Sequence, residues 1–189
     1  YERAGRQIGE LRSQAVKLQQ QVGTGERLER SSDDPVAAAR LRTLARSQRI
    51  ADIDQRNSEA ATTDLQLTDS ALESVANVII RVRELAMQAG TDTLSARQRA
   101  AIGVEVNGLL QNLVGIANSR NGDGHALFGG QTTGDAYTLA GTTVSYAGTA
   151  SVDPIDLGDG QQVQPRLTGP DAFSFTANGA PTDLFAVLG

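Results

Sequence analysis

The chain has 189 residues, a formal net charge of −5, no cysteine, no tryptophan and one histidine, His125. Disulfides, thiolate metal sites and cysteine nucleophiles are therefore excluded, and a histidine-based triad has one ring to draw on. The acidic balance and 4% aromatic content argue against a nucleic-acid binder and a large ligand pocket, and neither a membrane-spanning apolar run nor a signal peptide is visible.

Composition shifts near residue 120. Of the 17 Lys and Arg residues, only Arg166 lies beyond it, whereas every proline but Pro35 and every Phe and Tyr but Tyr1 does. This predicts an α+β chain: an elongated antiparallel α-helical coiled-coil bundle over residues 1–120, then a small β-rich domain over 121–189.

Residues 1–22 are expected to form the first helix, because Ile8, Leu11, Ala15, Leu18 and Val22 recur at helical spacing before the Gly23-Thr24-Gly25 stop. After a linker from Glu26 to Asp33, the run Ser31-Ser32-Asp33-Asp34-Pro35 marks a helix start and an inter-helix corner. Asp34 suits the N-cap and Pro35 the first helical position, and the Asp33 and Asp34 carboxylates complement the helix dipole. Paired carboxylates also serve in acid–base or metal chemistry, but beside a proline opening a long helix, capping is the simpler account.

The second helix, 34–89, meets no glycine or proline until Gly90. Leu44, Ala51, Ser58, Leu65, Leu72, Ile79 and Ala86 stand seven apart, with Ala61, Thr68, Val75, Val82 and Ala89 as the offset row. Such a repeat predicts left-handed coiled-coil packing. The upstream half is weak in large side chains, so it packs on small ones or on another subunit. Gly90 to Thr93 form a turn, Ser95 caps a third helix over 96–119, and Ile102, Val106, Leu109, Leu113 and Ile116 give it an apolar stripe. The short connection makes it antiparallel to the second helix, which outreaches it by about thirty residues and needs a further partner there.

After the Asn121-Gly122-Asp123-Gly124 turn, short strands are expected at 126–128, 136–139, 143–146 and 161–164, with another in 171–176. The stretch from Thr182 to Leu188 has the pattern of a capped helix that has barely begun, which suggests a fragment ending in a truncated C-terminal helix.

Chemistry-bearing motifs are sparse. The glycine-rich stretches match no phosphate-binding loop. Asp153, Asp156 and Asp159 miss the alternate spacing of a calcium loop, where Ile155 intervenes, and suit surface turns better. His125 sits among turn glycines and is expected to face solvent. Arg40, Arg42, Arg46 and Arg49 could bind phosphates, but the acidic balance favours coiled-coil flanks. No catalytic, cofactor-binding or metal-ligating residue is assigned.

Two segments carry a resemblance. Leu18-Gln19-Gln20-Gln21-Val22-Gly23-Thr24-Gly25-Glu26-Arg27-Leu28 with Ser31 to Pro35, and Arg81-Val82-Arg83-Glu84-Leu85-Ala86-Met87-Gln88-Ala89, resemble the two amino-terminal signatures of the bacterial flagellin family. The run from Ile116 to Gly130, with Val144 to Gly148 and Leu167 to Phe173, is similar to that family's hook–filament junction members rather than to the filament subunits. The resemblance implies a structural, non-enzymatic role outside the cell at the hook–filament junction, with export that cleaves no signal peptide. The implied partners are the first junction protein, flagellin and like copies in a ring, with an export chaperone as a further candidate and no nucleic acid, membrane or cofactor. It also implies that the Asp33-Asp34-Pro35 corner lies near a subunit contact and that Arg81, Leu85 and Glu105 form a packing face. A flagellin filament subunit and a cytoplasmic coiled-coil adaptor stand as the other readings.

Overall fold

A computed structural model describes residues 2–25, 34–91 and 94–189, apart from the side chains of Glu2 and Ala4; the linker run through Asp33 lies outside the described residues. Internal contacts divide the chain into two units, Tyr1–Asp52 and Ile53–Gly189.

The first unit holds α1 (Glu2–Thr24) and the start of α2 (Pro35–Ala89). The apolar stripe of α1 is exposed, from Ile8 through Leu11 and Leu18 to Val22 at 84%. Gly25 follows with a φ of 70°, the left-handed conformation that ends helices on glycine. Pro35 opens α2, and Asp34 caps it: its Oδ1 accepts from the Ala37 amide at 2.9 Å.

In the second unit, α2 presents an unbroken heptad seam. Asn57, Ala61, Asp64, Thr68, Ala71, Val75, Val78, Val82, Leu85 and Ala89, alternately four and three apart, are all buried or half-buried. The seam therefore combines the Ala61–Ala89 row with the row through Asn57, Asp64 and Ala71. The expected leading row lies one position away: Leu65 and Ile79 are 44% and 41% exposed, and Ser58 and Ala86 are exposed too. Polar residues at the upstream seam positions hid it. Those positions are covered by the chain's own loops. The Asn57 Nδ2 donates to the Asp156 carbonyl at 2.8 Å, and the Asn121 Nδ2 donates to both Asp64 carboxylate oxygens at 3.1 and 3.0 Å.

The third helix, α3 (Ala96–Ala117), starts in a capping box. The Ser95 Oγ accepts from the Gln98 amide, and the Gln98 Oε1 accepts from the Ser95 amide at 2.9 Å. It follows α2 after a six-residue connection and runs antiparallel to it: Arg81 on α2 pairs with Glu105 on α3, and Ser74 and Val78 line a shared groove with Leu109 and Ile116. By length and composition α3 is apolar enough to cross a membrane, but Leu110, Leu113, Val114 and Ala117 are core residues here.

Three antiparallel hairpins follow: β1 (Tyr137–Ala140) with β2 (Thr143–Tyr146), β3 (Ile155–Gly158) with β4 (Gln161–Val163), and β5 (Ser174–Ala177) with β6 (Ala180–Asp183). A short helix α4 (Gly169–Phe173) precedes β5, and α5 (Leu184–Leu188) is capped by Asp183. Two strand expectations are corrected. Residues 126–128 lie in a turn-rich segment with one isolated bridge, from Ala126 to Arg120, and are buried because their side chains fill the core. The start of 171–176 is helical, because the Thr168 hydroxyl caps the Asp171 amide and Pro170 sits in the first turn.

The parts on either side of residue 120 share one core. Ala71, Val75 and Val78 from α2 and Leu110, Leu113, Val114 and Ala117 from α3 meet Leu127, Phe128, Tyr137, Phe173 and Phe185. Ring centroids stand 4.9 Å apart for Phe128–Phe173 and 4.5 Å for Tyr137–Phe185, within the range of favourable aromatic pairs. The half-buried Asn118 at the end of α3 acts as a strand edge. Its Nδ2 donates to the Tyr137 carbonyl and its Oδ1 accepts from the Tyr137 amide, both at 2.8 Å. Asn118→Ala orphans both backbone groups of a 5% exposed residue. We expect it to lose about 2 kcal/mol in denaturant titrations.

Burial pushes the Tyr137 hydroxyl well above its ordinary value, and that of Tyr146 rises for the same reason. A raised folded-state value means that the stabilising effect of the neutral phenol is complete below the unfolded value, near pH 10, and is lost as pH rises beyond it. Unfolding midpoints should therefore fall between pH 9 and pH 11, and Tyr137→Phe should reduce that fall; an equal fall in wild type and variant would contradict this.

Candidate assembly surfaces

The residues singled out for contact fall into two places. Asp34 and Pro35 form the capped start of α2, with Asp34 half-buried. Arg81 lies on α2 with side-chain exposure of 49%. Its Nε and Nη2 donate to the Glu105 Oε1 on α3 at 2.9 and 2.5 Å, and its Nη1 donates to the Glu84 Oε2 at 3.0 Å. Glu105 first, then Glu84, holds the guanidinium proton more tightly than usual. Leu85 does not share this face. At 1% exposure it belongs to the core, because it is a seam residue one turn beyond Arg81; of the three expected residues only Arg81 and Glu105 lie at the surface, with Glu84 beside them.

Beside the ion pair lies a groove lined by Ser74, Asn77, Val78, Leu109, Asn112 and Ile116. It offers apolar walls and amide rims but no pair of groups poised for acid–base work. Replacing Arg81 by alanine should leave the thermal midpoint nearly unchanged, since exposed ion pairs contribute little. A large loss of assembly without loss of stability would then mark the residue as a contact.

The remaining motifs serve the fold. The Asp156 Oδ1 accepts from the Gly158 amide, and Asp159 and Gly160, with φ of 51° and 75°, form the β3–β4 turn. His125, expected to face solvent, is half-buried with its Nδ1 enclosed, because the turn from Asn121 folds back on it: the Asn121 Oδ1 accepts from the His125 amide at 3.0 Å. Arg120 ties the following loop, donating to the carbonyls of Gly124 and Thr133 and pairing with Asp135 at 2.7 Å. Arg120 and Asn118 were not anticipated as anchors. The density of turn residues after them was the available signal.

Residues 2–133 match the bacterial flagellin N-terminal helical region. The chain belongs to the flagellin family. Within that family, 96% of this chain aligns with the flagellar hook-associated protein 3 of Salmonella typhimurium, at 30% identity over 188 residues and 57% of that protein's length. The FlaB1 flagellin of Treponema pallidum is 32% identical but over 68% of this chain and 45% of its own length. The crystal structure of Xanthomonas campestris FlgL superposes with a TM-score of 0.64 at 27% identity, covering 69% of this chain and 42% of that one. The similarity of this flagellin-family chain to hook-associated protein 3 thus spans nearly the whole chain, the β-rich part included, whereas the FlaB1 match covers about two thirds of it. The chain spans little more than half the length of that curated relative.

Proposed function

We propose that this chain is part of a structural adaptor that joins the hook-associated proteins to the flagellin filament. The observation that carries the reading is the near-complete alignment with hook-associated protein 3, which includes the hairpin region beyond residue 133. The role is mechanical and not enzymatic: rigid helices and complementary surfaces transmit torque, and no bond is made or broken. The partners are the first junction protein on one side and flagellin on the other, with like copies closing a ring and an export chaperone before assembly. The site of action is the extracellular flagellum, reached without a cleaved signal peptide. In this reading residues 1–120 are the axial rod and 121–189 an outer module, the Asp33–Pro35 corner lies near a subunit contact, and Arg81 and Glu105 belong to a packing face.

The test is assembly in vitro with the full-length protein and isolated hooks. A junction adaptor adds a short collar and stops, and flagellin then extends from it. Continuous growth into long filaments from the protein's own seeds would instead make it a filament subunit.

A further inference from the structure

Charge along α2 is segregated. Residues 35–50 carry Arg40, Arg42, Arg46 and Arg49 and no acidic residue, whereas residues 57–80 carry Glu59, Asp64, Asp69 and Glu73 and no basic one. All four arginines are exposed, as is every other residue from 41 to 53. Arg42 and Arg49 stand seven apart and share one face. Their Nε atoms donate to the carbonyls of Ala38 and Ala45 at 3.2 and 3.1 Å, which anchors the guanidinium groups along the helix.

In the second unit Asp64 is held by Asn121, while Glu59, Asp69 and Glu73 are exposed, with Glu59 and Glu73 fourteen apart on one face. The ion pairs among the described residues involve Arg81 and Arg120, so neither stretch is neutralised from within. Both stretches also violate the local rule for stable helices. Arg42 with Arg46, and Asp69 with Glu73, are like-charge pairs at i, i+4, which destabilise an isolated helix. Helices carry such conflicts where an external partner offsets them.

We propose that the arginine stretch of one copy docks on the Glu59–Asp69–Glu73 face of a neighbouring copy. This rests on the reading of the whole protein as a ring of like subunits, and it names the surfaces that form the ring. A ring needs a heterologous contact, in which two different patches of the same chain complement each other. These two faces of α2 are opposite in sign, exposed, and carried by every copy. Guanidinium groups match carboxylates in fixed fork geometry, so the contact gains register as well as attraction.

The test uses the full-length protein in assembled flagella. Ala45→Cys and Gln66→Cys place thiols beside the two faces at exposed positions, and residues 1–189 have no native cysteine to compete. A bismaleimide should then give a ladder of linked multimers. Reversing the basic face (R42E with R49E) or the acidic face (E59R with E73R) should abolish the ladder, and combining the two reversals should restore it. Helicity of each variant, read by circular dichroism, should equal that of wild type because every changed side chain is exposed. No ladder, a ladder that survives both reversals, or a combined variant no better than either alone would overturn the proposal. The last result would mean that the arginines meet acids elsewhere. Immunogold label on the same flagella reports the junction reading separately. A charge-dependent ladder with label along the whole filament would keep this contact and refute the junction, and label at the junction without such a ladder would do the opposite.

Discussion

Replacing Phe128 by alanine is expected to destabilise the fold by about 4 kcal/mol, the upper range for a buried aromatic side chain. Phe128 is 0% exposed and stacks on Phe173 at 4.9 Å, tilted by 56°. Phe173 in turn meets Phe185 and Tyr137 edge-on, at 5.5 and 5.8 Å. Removing the first ring leaves a cavity against Phe173 of α4 that the neighbouring turns, tied by Arg120 and Asn118, are poorly able to fill. Phe128→Leu retains most of the volume and should cost about 1.5 kcal/mol. Denaturant titration followed by circular dichroism measures both. Equal, small losses for the two variants would mean that the aromatic cluster is not the centre of the β-rich part.

Gly169→Val should cost about 3 kcal/mol through overpacking. A Cβ at Gly169 would sit against the Tyr137 hydroxyl and 2.6 Å from its Cζ, and these atoms belong to a ring packed on Phe185. The ring is held among Phe173, Phe185 and Tyr146, and α4 cannot lift without breaking the Gly129–Thr168 bridge and drawing Phe173 out of the core. The double variant Gly169→Val with Tyr137→Ala should recover part of the loss, since the colliding ring is gone; additive losses would show that the collision is not the cause.

The helical half of the fold was readable because period and punctuation agree there. Asp34-Pro35 and Ser95 both cap where a short polar side chain precedes an apolar stripe. The seam was misplaced by one position because periodicity analysis weighs apolar residues, and Asn57 and Asp64 occupy seam positions as polar anchors for loops nearly a hundred and about sixty residues distant in sequence. Local pattern does not carry such long-range pairing. The same reason hid the burial of residues 126–128: three apolar residues in a row suit a strand or a core turn equally, and tertiary contact decides. Leu85 was placed on a packing face by the family resemblance, whereas the 3.5-residue seam turns it inward. The ion pair between Arg81 and Glu105 was accessible in outline, since antiparallel helices joined by a short turn bring these positions opposite each other.

The central claim is position in the flagellum. Immunogold electron microscopy of intact flagella, with antibody raised against residues 1–189, tests it most directly. The account predicts label confined to a short band where hook meets filament. Label along the full length of the filament, or signal restricted to the cytoplasm, would contradict it.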